Sequence, residues 1–415
     1  MNPLRLIPRI RALSRRTSIL VLCFCLPIIA AEQDATKSAR LELTPCELPG
    51  VKEKVRCGTY DVFEDRAARK GRKITLKIVV FPATSPTREP DPFVYIPGGP
   101  GSSATEDAPG VAELFGNVRA RRDLVFIDQR GTGQSHPLNC NFYDPADLQS
   151  YLGYFFPLDD VRKCRQELEP KANLTLYTSP IAMDDLDEVR AALGYERLNL
   201  FGASYGTRAA LVYLKRHPTH VRTVTLQGVA PTNQFMPRDF PQANERALQG
   251  VLAECAADEA CHKAFPNLDE ETKALLNQLL QGPIEVSVPV PTSSPGSNNP
   301  GAASPSIRVK LSRDLAAEAI RYMLYNPAPA SRVPLIIHQA AQGNFVPLTQ
   351  AALAYRRGLV ATGSNGLYLS ITCAEDLPWI KPGEGERLAA NTFLGDYRLR
   401  QQREACALAS GDASE

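Results

Sequence analysis

Histidine is scarce in this chain, with five in 415 residues and none beyond His338. Any chemistry that uses an imidazole as base or metal ligand therefore has few places to sit. No Cys-x-x-Cys spacing occurs, and Cys261-His262 alone offers too few ligands for a tetrahedral zinc, so neither metal nor cofactor is expected. Net charge is also small, at +2, and no basic patch suggests nucleic acid as a partner. Long apolar runs are missing too. The best one, Ile19 to Ala31, is broken by Pro27 and as a helix covers about 20 Å of a bilayer core roughly 30 Å thick.

What stands at that end is a segment of another kind. The first eighteen residues carry five arginines and no acid, and the apolar run that follows ends Ile29-Ala30-Ala31. Residues 1–31 therefore read as an export signal, with an uncleaved anchor as the alternative, and the mature chain is expected in the periplasm or secreted, without stable membrane insertion. Ser14-Arg15-Arg16 hints at the twin-arginine route, the ordinary secretory route being the first expectation. Cleavage removes the five arginines, taking the net charge from +2 to −3 (2 − 5), together with Cys23 and Cys25. Eight cysteines remain and fall into neighbouring pairs, Cys46 with Cys57, Cys140 with Cys164, Cys255 with Cys261 and Cys373 with Cys406. In an exported protein an even set spaced in this way reads as four structural disulfides.

The length suggests a core with a second unit inserted. Val55 to Phe63 and Ile74 to Pro82 read as a hairpin that starts a sheet. Phe93 to Ile96 and Leu124 to Ile127 read as buried strands, each running into a glycine-rich loop. Thr178-Ser179-Pro180 starts a helix with Asp184, Asp185, Asp187 and Glu188 expected in its first turns, and Thr223 to Gly228 forms a further strand. This alternation implies an α/β fold with a doubly wound, mostly parallel sheet in residues 32–230. Residues 231–365 read as an inserted helical cap containing a solvated loop at 289–306, where Pro, Ser, Gly and Asn dominate. Gly366 to Cys373 reads as a strand returning the chain to the core in residues 366–415, with the last core strands missing.

The chain is organised around Leu198 to Arg208, where apolar residues lead into Gly202-Ala203-Ser204-Tyr205-Gly206 and a helix-compatible run follows. That is the strand, sharp turn and helix of a nucleophile elbow, with Ser204 as the nucleophile and the two glycines permitting the close approach the turn needs. The loop from Pro97 to Ser103 cannot pack a core and would bring bare backbone close to something. Amide hydrolysis by serine also needs donors for the tetrahedral oxyanion. The N–H of Tyr205 and one from Gly98-Gly99 would supply them. Asp128 and Arg130 would brace the two loops against each other.

Taken together, Pro97-Gly98-Gly99-Pro100-Gly101-Ser102, Asp128 to Ser135, Asp184 to Arg190, Gly202 to Thr207 and Cys373-Ala374-Glu375-Asp376 resemble the α/β-hydrolase fold. Within it they resemble the secreted tripeptidyl aminopeptidases and the related prolyl iminopeptidases. Prolyl iminopeptidases usually begin the first loop with histidine, and Pro97 in that place leans toward the tripeptidyl branch. The resemblance implies a serine exopeptidase acting on peptides with a free N-terminus. It makes Glu375 and Asp376 the candidates for holding the substrate's α-ammonium. In this family the triad acid and histidine follow the cap, and this chain has no histidine there, so it is expected to be C-terminally incomplete. His136 is the first replacement base to consider. A non-catalytic binding protein and an esterase or other small-molecule hydrolase are the competing functions.

Overall fold

Three antiparallel strands, β1 (Thr44–Cys46), β2 (Val55–Phe63) and β3 (Lys73–Phe81), open the computed structural model, which describes residues 41–289 and 306–410. The expected export signal and all of the expected 289–306 loop except its two end residues lie outside the described residues. The hairpin forms as the alternation implied, with register from Arg56 opposite Val80 to Phe63 opposite Lys73. β1 has no alternation to read, since Thr-Pro-Cys buries none of its residues, and it is joined to β2 by the Cys46–Cys57 disulfide.

The sheet continues with β4 (Phe93–Ile96), β5 (Leu124–Ile127), β6 (Leu198–Ala203) and β7 (Val221–Gln227), in the order β1-β2-β3-β5-β4-β6-β7. The last four strands in that order are mutually parallel. Every residue of β5 is buried, as a parallel strand covered on both faces requires. Strand order reverses at β4, so the loops after β4 and β6 open into one crevice. None of the β7 residues is buried, and among the described residues no further strand joins the sheet beyond it.

The acidic run lies later in its helix than the composition suggested. The helix Ser179–Ala192 starts at Ser179, its first turn holds no acid, and the carboxylates are spent on ion pairs. Asp184 pairs with Arg216, Asp185 with Arg130 and Arg66, and Glu188 with Arg66. Arg130, fully buried, places its donors on Asp185 Oδ1 and Oδ2 and on the carbonyls of Phe63, Glu64 and Leu176. Asp187 accepts from Arg190, Tyr213 and His220, tying this helix to the one that follows β6. Burial would raise the Asp187 carboxyl, but those three hydrogen bonds outweigh it and hold the group at about 2. A carboxyl more acidic folded than unfolded contributes stability above its ordinary range and loses it as pH falls through the folded value. Asp187→Asn is therefore expected to cost about 1–2 kcal/mol at neutral pH, discounted for partial exposure. It should also flatten the acid limb of a stability profile measured by urea unfolding between about pH 4 and 2.

Two expectations are corrected beyond residue 230. Helices expected at Ala243 to Ala256, Glu270 to Leu280 and Ser312 to Leu324 form as Phe240–Ala257, Leu268–Leu280 and Arg313–Met323, but the cap region also holds a hairpin, β8 (Ile284–Pro289) with β9 (Ser306–Leu311). Pro289 pairs with Ser306, so the ends of the supposed loop are strand residues. Val286, Val288, Val309 and Leu311 form its buried face, a two-residue period that the surrounding Pro and Ser composition obscured. Gly366 to Cys373 is not a strand but part of the helix Asn365–Glu375. Its apolar residues alternate in sequence, yet Ser364 caps the helix by accepting the Leu367 N–H, and Leu367 and Ile371 bury one helical stripe. Residues 366–410 accordingly return as helices, the last being Tyr397–Ser410, which packs on Asn365–Glu375 and on Leu158–Leu168.

All four expected disulfides are present. Cys373–Cys406 closes the longest loop, with a sequence separation of 33, and joins two of these terminal helices. Loop-closure entropy for that span corresponds to about 3–4 kcal/mol. Replacing both cysteines with alanine should lower unfolding stability by that order, and non-reducing peptide mapping should recover the four links.

Candidate active site

Ser204 stands between β6 and the elbow helix Tyr205–Arg216 with φ 54° and ψ −121°, a conformation costly for any residue with a Cβ. Its surroundings over-determine it. A Cβ on Gly206 would lie 2.0 Å from the carbonyl oxygen of Ile96, and one on Gly202 would lie 2.4 Å from that of Gly206. Both obstacles are backbone and cannot swing away. Ser204 N donates to Gln227 O at 2.8 Å, while Thr207 N and Oγ1 donate to Ser204 O at 2.9 and 2.6 Å. The Ser204 hydroxyl makes no helix-capping bond and is left to the crevice.

The glycine loop after β4 reaches this serine. A Cβ on Gly98 would be 3.1 Å from Ser204 Cβ and 3.6 Å from Oγ, so any side chain there would crowd the hydroxyl. Gly99 and Gly101 adopt φ of +109° and +119°, and a Cβ on Gly99 would sit 2.6 Å from Gly101 N. Asp128, fully buried, holds the loop in place. Its Oδ1 accepts from Ser103 Oγ and Thr105 N at 2.8 and 2.9 Å, and its Oδ2 from Thr105 Oγ1 and Gln134 N at 2.8 and 3.0 Å. The two glycine-rich loops are thus braced through one carboxylate.

Glu375 and Asp376 are brought to the elbow, but from behind it. Glu375 accepts Ser179 N and Oγ at 2.6 and 2.8 Å, and Ser179 Oγ in turn accepts the buried Tyr205 hydroxyl at 2.7 Å. Asp376 Oδ1 accepts Arg208 Nη1 at 2.8 Å and Met236 N at 3.0 Å. Burial raises both carboxyls, opposed by Ser179 for Glu375 and by Arg208 for Asp376. Neither lines the cavity that opens at Ser204. Asp376 thus holds Arg208 of the helix after Ser204 directly, and Glu375 reaches Tyr205 of that helix through Ser179.

That cavity has a volume of about 210 Å³ and is walled by Gly99, Phe155, Arg321, Tyr355, Tyr368 and Arg398, among others. Apart from Gly99 these walls come from the cap, from the Cys140 to Cys164 excursion and from the terminal helices, and no local motif announced them. Among the described residues no histidine lines it. His136 Nε2 lies 3.0 Å from Lys171 O with its ring stacked on Tyr177. His217 and His220 engage Asp184 and Asp187 at the far end of the elbow helix, and His338 engages Glu271. His262 lies in the cap helix Glu259–Ala264.

A serine in a strained strand-turn-helix at the switch point of a parallel sheet fits a broad class of hydrolytic folds. The family model described as alpha/beta hydrolase fold matches residues 91–357, and the chain belongs to that family. Serine protease Hip1 of Mycobacterium tuberculosis (strain ATCC 25618 / H37Rv) is 30% identical over 265 residues, covering 58% of this chain and 51% of that protein. Tripeptidyl aminopeptidase of Streptomyces lividans is 31% identical over 204 residues, 46% of this chain and 38% of that one. A probable proline iminopeptidase of Streptomyces coelicolor is 28% identical over 200 residues, 46% and 48% of the two chains. The chain spans about half the length of the curated relatives it matches, or less. The crystal structure of a proline iminopeptidase from Mycobacterium smegmatis overlaps 69% of either chain at 16% identity, with a TM-score of 0.32. No helix among the described residues is long and apolar enough to cross a membrane.

Proposed function

We propose that this chain is an exported serine exopeptidase-like hydrolase that cleaves peptide bonds near free N-termini through an acyl-enzyme on Ser204. The observation that carries this reading is the backbone of Ser204, held strained in its turn with its hydroxyl unspent and the bare Cα of Gly98 against it. Ser204 Oγ attacks the carbonyl carbon as its proton passes to a base. The carbonyl oxygen takes the charge and is met by the N–H of Tyr205, which as the first helical residue has no partner within its helix, and by an N–H of Gly98-Gly99. Each such donor is worth about 3–4 kcal/mol in the transition state. The C–N bond then breaks, the amine leaves with the proton, and water hydrolyses the serine ester.

The peptidase part rests on relatives named as serine protease, tripeptidyl aminopeptidase and proline iminopeptidase. Export rests on four disulfides and on the arginine-rich, then apolar, N-terminal composition. That no histidine among the described residues lines the Ser204 cavity favours a second reading, a binding protein that keeps the crevice without turnover. A fluorophosphonate incubated for hours with the full chain and added imidazole as base separates the two. The first reading expects a single adduct at Ser204, lost in Ser204→Ala and accelerated by imidazole. Labelling no faster than that of surface serines would leave only the binding reading.

A further inference from the structure

The Ser204 cavity has a cationic wall. Arg321 and Arg398 both line it, at 5% and 4% exposure, and among the described residues Glu318 is the one carboxylate that ion-pairs with either. Arg356, 1% exposed, shares the Phe155 ring with Arg398 and makes its hydrogen bonds to the carbonyls of Tyr151 and Tyr154. Three buried guanidinium groups therefore stand against one carboxylate. Buried charge of one sign is costly unless something supplies the other.

The three arginines are not equally satisfied. Arg321 is well partnered, with Nε on Glu318 Oε2 at 2.9 Å, Nη1 on the Tyr325 hydroxyl at 2.6 Å and Nη2 on the Tyr355 hydroxyl at 2.8 Å. Arg398 makes one side-chain hydrogen bond, a long one of 3.3 Å from Nη2 to the Tyr368 hydroxyl. Its Nε and Nη1 are buried without a hydrogen-bond partner. Glu318 Oε1, also unpartnered, faces Arg398 Nε at 3.9 Å, too far for a hydrogen bond. Closing that gap would satisfy Nε alone and leave Nη1 open. The guanidinium itself is fixed, its Cζ 3.4 Å from the centroid of the Phe155 ring. A planar guanidinium held in the wall of a cavity, with two buried donors unmet that a small turn of the group would present, matches a carboxylate in geometry and charge.

We infer that the Ser204 cavity selects a substrate that carries a carboxylate, received by Arg398 with Arg321 beside it. This rests on the proposed function for what happens to the bound molecule, but the recognition itself is a binding event and needs no chemistry. The carboxylate has two sources, an acidic side chain in the acyl part of a peptide and the free C-terminus of a very short one. A cavity of about 210 Å³ holds little more than one such group with its residue.

Calorimetry on the full chain tests the assignment with matched probes. N-acetyl-glutamate amide against N-acetyl-glutamine amide reads the side-chain source, and N-acetyl-alanyl-alanine against its C-terminal amide reads the other. In at least one pair the acid should bind about tenfold more tightly or better, as a desolvated charge-assisted pair implies. The preference should fall to about twofold or less in Arg398→Gln. Equal affinities in both pairs overturn the inference and need no variant, so they decide it even where Arg398→Gln does not fold. A preference that survives intact in a folded Arg398→Gln overturns it as well. Failure of the fluorophosphonate experiment would remove the catalytic reading and leave these affinities standing.

Discussion

Gly206→Ala is expected to remove a large share of this protein's stability and lower its yield of folded chain. The added Cβ would stand 2.0 Å from Ile96 O and 2.7 Å from Pro97 O, while Gly202 already meets the Gly206 carbonyl from the other side. The elbow helix would have to withdraw from β4, and that movement would also pull Tyr205 from Ser179 and Arg208 from Asp376. Overpacking in a core ordinarily costs 1–3 kcal/mol, and with no side chain able to yield, roughly 3–5 kcal/mol is expected. That is a large share of a domain's total stability of about 5–15 kcal/mol. Gly110→Ala provides the control, because nothing lies within 4 Å of its Cβ position and it sits inside the helix Ala104–Leu114. There alanine should stabilise by about 0.5–1 kcal/mol. Urea unfolding of the two variants beside wild type reads both signs, and a Gly206→Ala chain as stable as its parent would mean that strand and helix do not approach so closely.

The same close approach explains which parts of the molecule could be read from residues alone. β2, β4 and β5 coincide with the expected strands, and the elbow lies where Gly-x-Ser-x-Gly puts it, because each is fixed by chemistry within a few neighbouring residues. The brace through Asp128 was legible for a similar reason, since both loops it joins leave adjacent parallel strands. Elements set by distant contacts were not. Gly366 to Cys373 alternates like a strand, and what makes it helical is a cap at Ser364 together with contacts from distant segments, as in the N–H of Gly366 donating to Leu138 O and the ring of Tyr368 meeting that of Phe156. Arg321 and Arg398 lie 77 residues apart in sequence (398 − 321) and meet only once the cap and the terminal helices have folded over Ser204. Glu375 and Asp376 show a third case, in which the partners each carboxylate takes could not be read from the local sequence. Their partners Ser179, Arg208 and Met236 turn them inward to support the elbow.

Peptide amides are expected to be hydrolysed by this chain at rates several powers of ten below those of a serine peptidase with a histidine base, even with Ser204 set in its strand-turn-helix. A serine hydroxyl stays protonated at neutral pH unless a neighbouring base accepts its proton as it attacks. His217 ends the elbow helix thirteen residues beyond Ser204, about 20 Å along its axis. His220 and His338 are committed to carboxylates on other faces, and His262 belongs to a cap helix that does not line the cavity. His136 directs Nε2 to the Lys171 carbonyl and lays its ring on Tyr177. What then remains is binding and oxyanion stabilisation, worth on the order of 10³ to 10⁴ over water in triad enzymes that have lost a member. Against a typical turnover of about 10 s⁻¹ such activity is detectable only with activated esters or long incubations. The rates to compare are those of a peptide anilide and an activated ester, on purified monomer, with and without imidazole and in Ser204→Ala. The expected pattern is ester well above anilide, both raised by imidazole and both abolished by the substitution. Ordinary enzyme rates on the anilide, dependent on Ser204 and lost in His136→Ala, would instead make His136 the base and require its loop to turn toward the crevice.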